Sequence, residues 1–148
     1  MFLLSDLLAD IPSIRKMAAN KQIHLSVTIP DNTLITGDRN IISTILRNLL
    51  TNAVKFTASG GTVSLTVEAG ADGKYSFAVS DNGVGMSRDQ IQKLFRLDSA
   101  LSRKGTGGEQ GTGLGLIVCS ELLEKHGTTL NVESEVGKGS KFWFEVKA

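Results

Sequence analysis

Two runs of alternating residues, "TVSLTVEAG" at 62–70 and "KYSFAVSDN" at 74–82, stand on either side of the turn signal "ADG". Alternation of this kind marks a strand with one buried face. An Asp-Gly pair between two such runs predicts a hairpin. Val63, Leu65 and Val67 share one face of the first run, and Tyr75, Phe77 and Val79 share one face of the second. A hairpin cannot bury that face alone, so another layer must cover it. The stretch "RNIISTILRNLLTNAVKF" supplies the cover. At about 100° per residue, Ile42, Ile45, Leu46, Leu49, Leu50 and Ala53 fall on one arc of a helix. "GD" at 37–38 predicts its cap, and the helix is expected to run to about Phe56.

The rest of the chain extends this scheme. Residues 13–21 read as a helix opened by "PS", and "HLSVTI" at 24–29 reads as a strand that ends at Pro30. Ser87 with Gln90 three residues on forms a capping box for a short helix. Residues 96–111, "RLDSALSRKGTGGEQG", have no period and are crowded with glycine and charge, which predicts a mobile loop too long for a mere connection. "TGLGLIVCSELLEKHG" reads as a helix closed by Gly127, and "TLNVES" and "KFWFEV" as a last hairpin across "VGKG". The predicted fold is an α/β (α+β) two-layer sandwich. Its sheet is mixed, mostly antiparallel, of about five strands, with helices on one face. Residues 1–148 form one domain, and "MFLLSDLLADI", amphipathic but interrupted by Asp6 and Asp10, reads as a lead-in over 1–12 from something upstream.

Composition excludes several functions. The net charge is +1 and no basic cluster is interleaved with aromatics, so a nucleic-acid partner is not expected. No apolar run approaches the length of a membrane span, and the N-terminus lacks a signal-peptide pattern. The single cysteine, Cys119, cannot form an internal disulfide and reads as core filler in a reducing, cytoplasmic setting.

One feature of the long helix is costly. Asn48, Asn52 and Lys55 form a polar stripe at the edge of the apolar arc. Asparagine is roughly 0.5–0.7 kcal/mol worse than alanine inside a helix. Three glycine-rich pieces accompany the stripe: "DNGVGM" at 81–86, "GTGLGL" at 111–116 and "GKGS" at 137–140. None is a P-loop, because no Gly-Lys-Ser/Thr occurs. None is a dinucleotide fingerprint, since Leu116 stands where a third glycine is needed and no strand runs directly into the motif. Gly111, Gly113 and Gly115 do stand at a predicted helix N-terminus, where backbone N–H groups favour an anion such as phosphate.

In order, "NLLTNAVKF", "DNGVGM", "LF", "GTGLGL" and "GKGSKF" closely resemble the boxes of the Bergerat-type ATPases, the superfamily of DNA gyrase, a heat-shock chaperone, mismatch-repair proteins and histidine kinases. Within it the chain resembles the catalytic and ATP-binding domain of a sensor histidine kinase over nearly its whole length. The resemblance implies ATP and magnesium as cofactors. It implies that the polar stripe faces the nucleotide, with Asn52 the magnesium ligand, Lys55 offsetting phosphate charge and Phe56 against adenine. It implies that Asp81 accepts a hydrogen bond from the adenine amino group and that Gly83 and Gly85 let the backbone approach the base. Gly111, Thr112, Gly113, Leu114 and Gly115 would bind the phosphates, residues 96–111 would form an ATP lid, and Ser140 would touch an adenine-bound water.

Asn48 separates the branches. Gyrase-like and chaperone members carry a glutamate there to activate water, and an amide has no useful basicity. With Lys55, Asn48 is the candidate catalytic residue of a kinase. The resemblance implies as partners a dimerisation hairpin that carries the phosphoacceptor histidine and a response-regulator receiver domain, with the isolated domain monomeric. His24, followed by Leu25, and His126, followed by Gly127, lack the acidic neighbour of an acceptor. The acceptor is therefore expected upstream of Met1. Two departures concern the lid: Phe95 lacks a second aromatic after it, and Glu109 stands where some members have a basic contact, with Arg103 and Lys104 the basic residues nearby. An anti-sigma-factor-type serine kinase and a non-catalytic ATP-dependent switch share these boxes.

Overall fold

The computed structural model describes residues 2–94 and 114–147. In chain order the elements are β1 (Phe2–Leu3), a 3-10 turn (Leu4–Asp10), α1 (Ile11–Asn20), β2 (His24–Thr28), β3 (Leu34–Ile35), α2 (Arg39–Lys55), β4 (Thr62–Ala69), β5 (Lys74–Asp81), α3 (Arg88–Lys93), α4 (Leu114–Lys125), β6 (Asn131–Glu135) and β7 (Gly139–Lys147).

The predicted hairpin is the centre of a five-stranded sheet ordered β2-β4-β5-β7-β6. Only β2 runs parallel to its neighbour β4; the other pairs are antiparallel. Asp72 (φ 57°) and Gly73 (φ 70°) both adopt the left-handed conformation that a tight hairpin demands. One sheet face buries Leu25, Val63, Leu65, Val67, Phe77, Val79, Phe142, Phe144 and Val146. Phe77 and Phe144, cross-strand partners, stack with centroids 5.2 Å apart. The α2 arc lies on this face with Ile42, Ile45, Leu46, Leu49, Leu50, Ala53 and Val54 all buried. This is the two-layer sandwich with helices on one face.

Local chemistry sets the boundaries. Asp38 Oδ1 accepts from the backbone N–H groups of Asn40 (2.9 Å) and Ile41 (3.2 Å), so it is the N-cap of α2. Ser87 and Gln90 form the expected capping box on α3. Gly127 (φ 83°) ends α4, with the Thr128 N–H reaching back to the Leu123 carbonyl at 3.0 Å. Helix α1 begins two residues earlier than expected, because Pro12 fits the first helical turn, where no N–H is required.

The first residues also pack into the fold. Leu4 and Leu7 are buried in the common core, and Phe2–Leu3 pairs antiparallel with Leu34–Ile35. Neither strand of this ribbon is long enough to show a period. Among the described residues no helix is long and apolar enough to cross a membrane.

Candidate functional site

The C-terminal turns of α2 meet the C-terminal end of β5, and most of the sequence-selected residues gather there. Asn48, Asn52, Lys55 and Phe56 are all partly buried, at the border between the apolar arc and the surface. Helices α2 and α4 pack antiparallel: the Asp38 N–H at the start of α2 donates to His126 Nε2 at the end of α4 (3.3 Å). Gly115, near the start of α4, lies beside Asn48. A Cβ built on Gly115 would stand 3.9 Å from Asn48 Oδ1, an ordinary contact. Lys55 Nζ lies 5.8 Å from the centroid of the Phe56 ring, within cation–π range.

Asp81 is held by the backbone around it. Its Oδ1 accepts from the Gly83 N–H (2.9 Å), closing an Asx turn, and from the Ser140 N–H (3.3 Å) on β7. Two N–H donors on one oxygen fix the carboxylate plane, and a carboxylate can accept about four hydrogen bonds. The glycines answer first to the protein's own backbone. A Cβ on Gly83 would stand 2.2 Å from the Phe56 carbonyl oxygen, and one on Gly85 (φ 69°) would stand 2.0 Å from that of Glu135. Those contacts bring the "DNGVGM" turn against both α2 and the β6–β7 turn. The Val84 N–H donates to the Phe56 carbonyl (3.1 Å), and the Gly137 N–H donates to the Val84 carbonyl (2.9 Å).

Ser140 is part of a hydroxyl relay. Ser134 Oγ accepts from the Met86 N–H (2.8 Å) and donates to the Gly139 carbonyl (2.9 Å). Its one proton is then used, so Ser140 Oγ donates to Ser134 Oγ across 2.7 Å.

Three contributors escaped the sequence reading. Lys21 Nζ donates to the carbonyls of Val54 (3.1 Å) and Lys55 (2.9 Å), a cation on the C-terminal end of α2. Asn82 Oδ1 accepts from the Thr62 N–H (2.8 Å) and ties the Asp81 turn to β4. Ser134 stands beside Ser140 as described. Lys21, Asn82 and Ser134 reach Val54, Thr62 and Met86, partners far away in sequence that spacing along the chain does not reveal. Cys119, expected as core filler, is 0% exposed but also hydrogen-bonds with the Asn48 side chain. Burial pushes its thiol up to about 11, and the Asn48 bond opposes that rise.

Leu114 opens α4. Gly111, Thr112 and Gly113, the proposed lid over 96–111, and Phe95, Arg103, Lys104 and Glu109 lie outside the described residues. His24 pairs with Thr62 in the sheet, and His126 serves the α2 N-cap. Among the described residues no group of three or more His, Cys, Asp or Glu side chains is placed to hold a metal ion.

Residues 37–148 match the family described as histidine kinase-, DNA gyrase B- and HSP90-like ATPase. The chain is 37% identical to the sensor protein GacS of Pseudomonas syringae pv. syringae over 99% of its own length and 17% of that protein's. It is 35% identical to the adaptive-response sensory kinase SasA of Synechococcus elongatus over 84% of its length and 32% of that protein's. The chain thus spans under a third of these curated relatives. Among solved structures, full-length ShkA in complex with AMPPNP superposes with a TM-score of 0.78 at 32% identity, covering 97% of this chain and 29% of that one. The mycobacterial sensor histidine kinase MprB superposes with a TM-score of 0.79 over 98% of this chain and 94% of that one; at 21% identity it attests the fold alone. The chain belongs to the histidine kinase-, DNA gyrase B- and HSP90-like ATPase family, as a histidine-kinase-like ATPase domain with the Bergerat fold.

Proposed function

We propose that this domain binds Mg-ATP between α2, the "DNGVGM" turn and the start of α4, and donates the γ-phosphoryl group to a histidine on a separate dimerisation hairpin. The observation that carries the reading is Asn48. At the α2–α4 contact, where a hydrolase needs a carboxylate to activate water, the chain has a neutral amide packed beside Gly115. The site can therefore hold ATP without a base to spend it on water.

Each residue then has a role. Asp81, its plane fixed by the Gly83 and Ser140 amides, accepts the adenine amino group. Phe56 lies against the base, Lys55 offsets phosphate charge, and Ser140 orders an adenine-bound water. Gly111 to Gly115 take the phosphates, and 96–111 close over them. Asn52 offers its amide oxygen to magnesium, which when bound neutralises phosphate charge. Phosphoryl transfer is chiefly positioning and charge stabilisation, so the remaining need is a nucleophile in line with the γ-phosphate. His126 cannot supply it: it is engaged at Asp38, ten residues or about 15 Å along α2 from Asn48. From that histidine the phosphoryl group passes on to a receiver domain, in the cytoplasm where ATP is available.

Incubation with γ-labelled ATP tests this, first with the chain alone and then with a hairpin carrying the acceptor histidine. Label is expected only on the hairpin, and it should be acid-labile. Acid-stable label on a serine would assign an anti-sigma-type kinase instead. ATP binding with no label on any acceptor would assign a conformational switch. Turnover near 1 s⁻¹ with no partner, the low end of typical enzyme rates, would overturn the inference from Asn48.

A further inference from the structure

We infer that Ser134 is a positioning residue for base selection: by taking the Ser140 proton it leaves Ser140 an acceptor only, so the pocket favours a purine whose exocyclic group donates. The inference rests on the nucleotide-binding reading above.

Sheet register sets three side chains in a row. Asp81 on β5 stands opposite Ser140 on β7, and Ser140 stands opposite Ser134 on β6. Directly opposed residues share a face, roughly 5 Å apart. Here it is the face that buries Val79 and Phe142 two residues along, beneath α2.

The Ser134 hydroxyl is saturated. A hydroxyl has one proton to give and two lone pairs to offer. The proton goes to the Gly139 carbonyl at 2.9 Å, and one lone pair takes the Met86 N–H at 2.8 Å. Toward Ser140 Oγ, 2.7 Å away, Ser134 can then only accept. The reverse arrangement would leave Ser134 Oγ and the Gly139 carbonyl as two bare acceptors 2.9 Å apart. Ser140 has therefore given its single proton within the protein.

This decides what the two site residues present to a base. Ser140 Oγ offers lone pairs alone, as the Asp81 carboxylate does. A water held by both gives one proton to each and turns a lone pair outward. Both side chains and the water then call for a donor. An exocyclic amino group carries two N–H bonds, and a carbonyl oxygen carries none. Asp81 does not produce this result by itself. A Ser140 hydroxyl free to turn would donate to the water and release a water proton for the carbonyl. Ser134 removes that option.

The test compares Ser134→Ala and Ser134→Val, which lack the hydroxyl, with Ser134→Thr, which keeps it in the shape of valine. Each is titrated by calorimetry with ATP and with inosine triphosphate, which has a carbonyl in place of the amino group. A thermal melt checks that each variant is folded. Without the hydroxyl the preference for ATP should fall about fivefold, as one hydrogen bond allows, and with Thr it should stay within about twofold of the wild type. Equal losses for both nucleotides, with the preference unchanged, would make Ser134 a structural contact and overturn the inference. So would a Thr variant that behaves like Val, or a wild type that binds both nucleotides alike. A wild-type chain that takes up no ATP would overturn the functional reading instead.

Discussion

In the proposed pocket the Asp81 carboxylate meets an N–H donor from adenine but a carbonyl oxygen from guanine. Two acceptors face to face in a desolvated site cost roughly 2–3 kcal/mol, about two powers of ten in affinity. Calorimetry should therefore find GTP at least about a hundredfold weaker than ATP, and a gap under threefold would remove Asp81 from the base site. The glycines make a second residue-level prediction, because their surroundings differ. A methyl on Gly83 would collide with the Phe56 carbonyl oxygen at 2.2 Å, whereas one on Gly115 would make an ordinary 3.9 Å contact. Gly83→Ala should cost about 1–3 kcal/mol of stability, as overpacking does. Gly115→Ala should cost nothing in a thermal melt. Equal melting temperatures would show that the turn is looser than its contacts imply.

At the scale of elements, α2 joins the core to the site, and its two sides should respond differently. Leu49 is 1% exposed beneath the polar stripe, so Leu49→Ala should cost about 2–4 kcal/mol. Asn52→Ala should leave the melt nearly unchanged and lower magnesium-dependent nucleotide affinity. Lys21→Met should cost about 1–2 kcal/mol, because it removes two donors from the last carbonyls of α2. Chemical denaturation of the three variants checks the ranking. These cases also show what could be read from the sequence. The arc of α2, the Asp38 cap and the Ser87 box depend on residues a few positions apart, so spacing revealed them. Lys21 reaches α2 from more than thirty positions away, and the β1–β3 ribbon is two residues wide, so neither leaves a periodic trace. The candidate site was legible as a set of boxes only through family resemblance. That Cys119 touches Asn48 required the packing of two helices.

At the scale of the molecule, the strands separate two sets of contacts. Asp81 pairs with Ser140 at one end of the β5–β7 ladder, and Lys74 pairs with Lys147 at the other. Those ends lie roughly 20 Å apart, the length of the ladder between them. At the Lys147 end, the Lys147 carbonyl accepts from the Thr36 N–H at 2.9 Å, and the neighbouring Ile35 pairs with Phe2. Residues 2 and 147 are thus near neighbours, on the side away from the candidate pocket. Residues 2–147 can therefore be spliced into another chain through a single doorway, away from the candidate pocket. A circular permutant should tolerate the same logic, with Lys147 joined to Phe2 by a short glycine-serine bridge and new termini opened in the exposed turn at Asp72–Gly73, at that same end of the sheet. It should melt somewhat lower than the parent yet bind ATP within about twofold of it, because every strand and helix around Asp81 keeps its place while only the order of synthesis changes.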